Sequence, residues 1–159
     1  MKHNLSKSLL LTALLSILPF SALQAQNYDA LVASAVNNSA RLEASRERDV
    51  LRKPAEVIKF MGVQPGDTVL DLIAIGGYYT EILAGVVGEN GRVIAQALAA
   101  QGMDPNYAFA AHIRNSPHLD NVVPIYAEMI DLDLEENSVD QIFLIQNFHD
   151  LYVLNIPNR

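Results

Sequence analysis

"VLDLIAIGGYYTEILAG", residues 69–85, decides the fold. The apolar run 69–72 reads as a buried strand that carries one acid, Asp71. A glycine pair, Gly76 and Gly77, follows at once, and then the helix-like run 78–87. Glycines between a strand and a helix let backbone approach a ligand closely and open the helix N-terminus toward it. The same pair also serves a tight turn without a ligand. Ile73 and Ile75 stand where such loops often carry glycine, and no G-x-G-x-x-G pattern is present.

Working outward, strand-like and helix-like segments alternate. "TVLDLIA" (68–74), "RVIAQAL" (92–98), "NVVPIYAE" (121–128) and "QIFLIQNF" (141–148) read as strands. The runs 78–87 and 104–116 read as helices between them. Pro124 marks its strand as an edge or a distortion. Strands separated by helices imply a parallel sheet, and near-continuous apolar runs imply burial on both faces. Upstream, residues 29–62 read as helical, with a polar break at 37–39. Pro54 suits a helix first turn, and Gly62 suits a helix stop. The expected fold is α/β, a Rossmann-like doubly wound parallel sheet, incomplete at about four strands, with N-terminal helices.

In such sheets ligands sit beyond the carboxyl ends of the strands, which directs attention to particular side chains. Asp71 needs hydrogen-bonding partners inside its strand; loop N–H groups or a cationic ligand centre would serve. Gln96 ends the second strand, where an acid would bind ribose hydroxyls; it suits a hydroxyl partner or a solvated strand end. Glu128 after the third strand could accept from an adenine amino group, while Asp131, Asp133, Glu135 and Glu136 read as a solvated loop face. After the fourth strand come Asn147, His149, Asp150 and Tyr152. His149 titrates near neutrality and suits proton transfer. His3 lies near the N-terminus, and His112 and His118 show no metal-ligand spacing, so no metal site is expected.

The chain has 159 residues, half of them hydrophobic, enough for one domain with a real core. Its net charge of −7 argues against a broad nucleic-acid or anionic-membrane surface. With no cysteine, disulfides, thiolate metal sites and cysteine nucleophiles are excluded. The N-terminus has a basic start, "MKHNLSK", an apolar stretch, "SLLLTALLSILPFSAL", and a small residue, Ala25. This is the layout of a secretory signal peptide, and the apolar run is short against the ~20 residues of a membrane span. Three segments are expected: a signal peptide (1–25), an N-terminal helical segment (26–62) and the α/β unit (63–159).

Taken together, "RERDVLRKPAEVIKFMGVQPGDTVLDL" (46–72), "GGYYTEILA" (76–84) and "FLIQNFHDLY" (143–152) resemble the predicted exported methyltransferases of bacteria. These lie within the class I S-adenosylmethionine-dependent methyltransferases. The resemblance implies S-adenosylmethionine as cofactor, with Asp71, Gly76 and Gly77 at its amino-acid end, Glu128 facing adenine and Asn147 beside the transferred methyl. His149 or Asp150 would deprotonate the acceptor. Three departures stand out. Ile75 replaces a glycine, the ribose-binding acid is absent, and the chain stops soon after the fourth strand, as the N-terminal half of such a domain would. The departures leave a second expectation, a non-catalytic protein that binds a small molecule or a partner on the same fold. An unpaired, apolar fourth strand would favour self-association.

The leader generates a direct test. Intact-mass measurement of the exported fraction is expected to give a mature chain that starts at Gln26. A soluble cytoplasmic species that keeps Met1 overturns the expectation.

Overall fold

A computed structural model describes residues 20–99 and 108–153, with side chains described for 27–99 and 108–152. Most of the expected leader, and the first part of the helix expected over 104–116, lie outside the described residues. Helix α1 (Phe20–Val36) runs unbroken through position 25. No helix among the described residues is long and apolar enough to cross a membrane.

The N-terminal segment continues as two single-turn helices, α2 (Glu43–Arg46) and α3 (Asp49–Arg52), and then α4 (Pro54–Met61). Lys53 links α3 to α4 in a left-handed conformation, φ 46°. Pro54 opens α4 and Gly62, at φ 72°, closes it. These stops follow from chemistry. Proline fixes the first-turn torsion and has no N–H to leave orphaned, and glycine adopts the left-handed cap without a Cβ clash.

The sheet comprises β1 (Thr68–Asp71), β2 (Arg92–Ala97), β3 (Val122–Tyr126) and β4 (Gln141–Phe143). All pairings are parallel, in the order β3-β2-β1-β4. Helix α5 (Tyr78–Val87) follows β1, and α6 (Ala108–Arg114) precedes β3. The last helix is α7 (Asp150–Val153). The two central strands are buried almost throughout, as their unbroken apolar runs require. Helices α1, α4 and α5 pack together beside the sheet. A Cβ at Gly85 would lie 2.9 Å from the Ala35 Cβ, so this glycine sets how closely α1 approaches α5.

Both edge strands carry marks of their position. In β3, the Ala127 N–H donates to the Ala97 carbonyl (3.1 Å). The two-residue alternation then turns position 124 toward the open edge, where proline's missing N–H removes no ladder bond. The fourth strand is shorter than expected. Only Gln141–Phe143 pairs with β1, and Leu144 and Ile145 are half-buried beyond its end. The exposed apolar edge residue is Ile142, and a short edge offers little template for pairing.

Gln96 ties the carboxyl ends of the strands together. It is 0 % exposed, so the solvated strand end expected for it is not what the fold builds. Its Oε1 accepts from the Ile73 N–H (2.8 Å), and its Nε2 donates to the Ala127 carbonyl (2.7 Å). Its own carbonyl accepts from the Ala74 N–H (2.8 Å). Both ends of the side chain are therefore committed to protein partners, and neither is free for a ribose hydroxyl.

Gln96→Leu would keep the bulk and strand the Ile73 N–H and the Ala127 carbonyl without partners. At about 1–3 kcal/mol for each buried unsatisfied group, the loss of stability is expected to be about 2–6 kcal/mol. Urea unfolding of the variant checks this; a change below about 1 kcal/mol would show that water satisfies both groups.

Candidate functional site

The turn after β1 is built from three left-handed residues. Gly76 and Gly77 lie at φ 73° and 71° in a 3-10 turn, Ile75–Gly77, that leads into α5. The two glycines are needed for different reasons. A Cβ on Gly77 would lie 2.0 Å from the Phe109 ring of α6, whereas nothing lies within 4 Å of one on Gly76. Gly77 serves packing, and Gly76 faces open space. The third left-handed residue is Ile73, at φ 53° and buried. A β-branched residue there is a genuine outlier. Sequence reasoning singled out Ile75 as the obstructive side chain. Ile75 is 53 % exposed at the rim and its φ is not left-handed, so the strain sits at Ile73.

Beneath the turn, at the carboxyl ends of β1 and β4, lies a cavity of about 210 Å³. Asp71, Tyr79 and Asn147 line it, together with Arg48 and Arg52 from the N-terminal segment and Tyr78 from α5. The Asp71 carboxylate accepts a 2.6 Å hydrogen bond from the Thr80 hydroxyl. Burial raises the Asp71 pKa from an ordinary 3.8 to about 7, against the lowering effect of the Thr80 side-chain and backbone hydrogen bonds. Asn147 reaches across from the segment after β4 and donates from Nδ2 to the Ile73 carbonyl (2.8 Å). Ile73 is thus held from both sides, by Gln96 at its N–H and by Asn147 at its carbonyl.

The arginines around Tyr78 were not foreseen. The guanidinium groups of Arg41, Arg48 and Arg52 lie 5.5, 5.2 and 4.5 Å from the Tyr78 ring centroid, within cation–π range. Tyr78 donates to Asp49 (2.6 Å), and Asp49 receives Arg41 in a two-point pair at 2.8 and 3.0 Å. Burial would raise the Asp49 pKa, but hydrogen bonds from Arg41 and Tyr78 outweigh it and hold the carboxyl below its usual range. Burial, followed by the bond to Asp49, pushes the Tyr78 hydroxyl well above its ordinary value. Arg41 also donates to the Val36 carbonyl. The stretch 41–52, charged and helical in sequence, supplies this network, in which Arg41 is buried. Glu81 is its further acid, and a lone acid inside the apolar helix "YYTEILAGVV" was the signal available for it.

The other expected residues fall elsewhere. Glu128 is exposed, precedes the 3-10 turn Met129–Asp131 and does not line the cavity. The His149 side chain is 76 % exposed, with Nε2 3.1 Å from an Asp150 oxygen. Neither residue of that pair lines the cavity, although Asn147, two positions earlier, does. Asp71, Asn147 and the glycine turn are brought together; Glu128, His149 and Asp150 are not part of that group.

No family profile matches the chain, and no curated protein matches it. Among solved structures, it is similar to a SAM-dependent methyltransferase from Aquifex aeolicus, with 30% identity and a TM-score of 0.55. That match covers 77% of this chain and 59% of the other, so the chain spans about three-fifths of that protein's length. A protein-L-isoaspartate O-methyltransferase matches at 20% identity and a TM-score of 0.48, over 57% of this chain and 27% of that one. The Aquifex likeness carries the fold assignment, an α/β Rossmann-like sheet matching that methyltransferase.

Asp71 makes stability depend on pH. A carboxyl whose folded pKa is raised favours the folded state while it stays protonated. Its contribution is whole below an ordinary 3.8 and is lost as pH rises to about 7. The loss amounts to about 4 kcal/mol at 1.36 kcal/mol per pK unit. Thermal melts of Asp71→Asn should therefore fall away less than the parent's between pH of about 4 and 7. Parallel curves across that window would contradict the assignment.

Proposed function

We propose that the chain binds S-adenosylmethionine by its amino-acid end and acts in methyl transfer, as a methyltransferase-like protein exported from the cytoplasm. One observation carries this reading. A small cavity behind a strand–glycine turn–helix is lined by an acid, Asp71, and by two arginines, Arg48 and Arg52. Opposed charges of that kind suit a zwitterionic amino-acid group, with its ammonium toward Asp71 and its carboxylate toward the arginines. The cavity is smaller than the roughly 300–1,000 Å³ of whole-ligand pockets, so it takes one end of the cofactor. The open space at Gly76 leaves room for backbone approach along the rest.

When bound, the cofactor supplies an activated methyl group, and the protein's part is positioning. Asn147 fixes the turn through Ile73, and the exposed His149–Asp150 pair takes the acceptor's proton from the outer side. Export rests on the leader-like composition of residues 1–25.

A second reading has its own support. Both polar ends of Gln96 are locked, and no acid replaces it at the end of β2. A non-catalytic protein that holds a smaller zwitterion at the same cavity fits that arrangement.

Calorimetry with S-adenosylmethionine, S-adenosylhomocysteine and methionine separates the two. Binding of the first two is expected, weakened about tenfold, or 1.4 kcal/mol, by Arg52→Ala. Heat from methionine alone supports the second reading. Absence of binding by all three at about millimolar ligand, a free energy weaker than about −4 kcal/mol, removes the cavity as a cofactor site.

A further inference from the structure

On the far side of α5, away from the glycine turn's cavity, the fold assembles a group that sequence spacing kept apart. Glu81 comes from the first turn of α5, His112 from α6 and His118 from the 3-10 turn Pro117–Leu119. One ligand atom from each lies within 4.8 Å of the others. We propose that Glu81, His112 and His118 form a binding site for a divalent transition-metal ion of zinc type, separate from the cofactor cavity.

Three observations support it. The first is unspent bonding capacity. Glu81 is 2 % exposed, yet its Oε2 has no hydrogen-bond partner, and neither does the buried Nε2 of His118. Two buried polar atoms without partners in one cluster are an unfavourable arrangement that a bound cation relieves. The second is charge. Arg41 lies 4.0 Å from Glu81 Oε2, but its guanidinium is engaged by Asp49 through two hydrogen bonds. Glu81 therefore shares its nearby guanidinium with Asp49, and its other close polar partners are the His112 ring and the Leu42 N–H. The third is the support around His112. Its Nδ1 lies 3.2 Å from the Ser116 hydroxyl, and its Nε2 lies 2.8 Å from Glu81 Oε1. In the metal-free protein the 2.8 Å contact is a hydrogen bond donated by Nε2; a metal ion would take the place of that proton, and Nδ1 would then donate to Ser116, the outer hydrogen bond that metal-bound histidines usually make. The Leu42 N–H, at 3.1 Å from Oε1, fixes the carboxylate.

Two imidazoles and a carboxylate are a zinc-type donor set, and the remaining tetrahedral position is left for solvent. His118 also lines an open cleft of about 690 Å³ beside Asn121 and Arg92, which gives an ion a way in. Donors on a tetrahedral zinc stand roughly 3.4 Å apart, so closing the site requires the His118 ring to move by about an ångström.

The test uses the full chain, freed of metal by chelation, and Co²⁺ as the probe. Stoichiometric addition should produce the visible absorption of tetrahedral cobalt, and Zn²⁺ should displace it. His118→Gln leaves every hydrogen bond described here intact, so it should fold as the parent does by circular dichroism and lose at least about 100-fold in affinity. Ser116→Ala should lose about 10-fold through the outer hydrogen bond. Absence of cobalt absorption in the parent overturns the proposal. So does binding that His118→Gln leaves unchanged, because the ion then sits elsewhere.

Discussion

The Gln96 side chain is the constraint on which the ligand-facing end of the sheet depends. Parallel strands end with backbone groups that the ladder no longer satisfies, and here three strand ends converge. Gln96 spans two of the gaps with one buried amide, which joins the turn after β1 to the segment after β3. Asn147 adds the segment after β4. Two amide side chains thus tie together the segments that follow β1, β3 and β4. Amides suit this task because each offers a donor and an acceptor and adds no charge to a buried site.

A second layer is ionic and comes from the N-terminal segment. Residues 41–52 wrap the start of α5, where Asp49 gathers Arg41 and the Tyr78 hydroxyl. Arg41 in turn approaches Glu81 on the same helix. This segment carries no strand and adds nothing to the sheet, yet it supplies two arginines that line the cavity. The α/β unit without it would leave Glu81 as a buried acid without the Arg41 guanidinium beside it, a costly arrangement.

Much of the fold was legible because its signals are local. Helix α5 was readable over 78–87 from its apolar spacing and the glycines before it. The helix stops at Pro54 and Gly62 follow from torsional preference alone. What stayed hidden depends on partners far away in sequence. Gln96 looks like a solvated strand end until Ile73 and Ala127 are brought to it. Glu81 reads as an ordinary helix acid until Arg41 and His112 arrive. Asp71 and Asn147 were readable as residues at the ligand-facing end of the sheet, and the fold brings both to one cavity. Glu128 and His149 were chosen by the same rule, but short turns carry them outward.

Ile73 shows why the loop can depart from the glycine pattern and still hold its shape. A left-handed β-branched residue is strained by about 1–3 kcal/mol. Burying its side chain contributes about 1.5–3 kcal/mol in the other direction. The two nearly cancel, and the hydrogen bonds at its N–H and carbonyl then decide the conformation. Glycine at this position would relieve the strain and also remove the apolar anchor that keeps the turn against the core. The turn is therefore held by packing and amide hydrogen bonds, where a glycine-rich loop would rely on free torsions and a bound ligand. Such a turn keeps its form when the cavity is empty. Pre-organisation of this kind lowers the ordering penalty for a ligand that fits and raises the penalty for one that needs the turn to move. A small zwitterion enters without disturbing Ile73, whereas a ribose that sought Gln96 would have to break the bonds on which the whole end of the sheet depends.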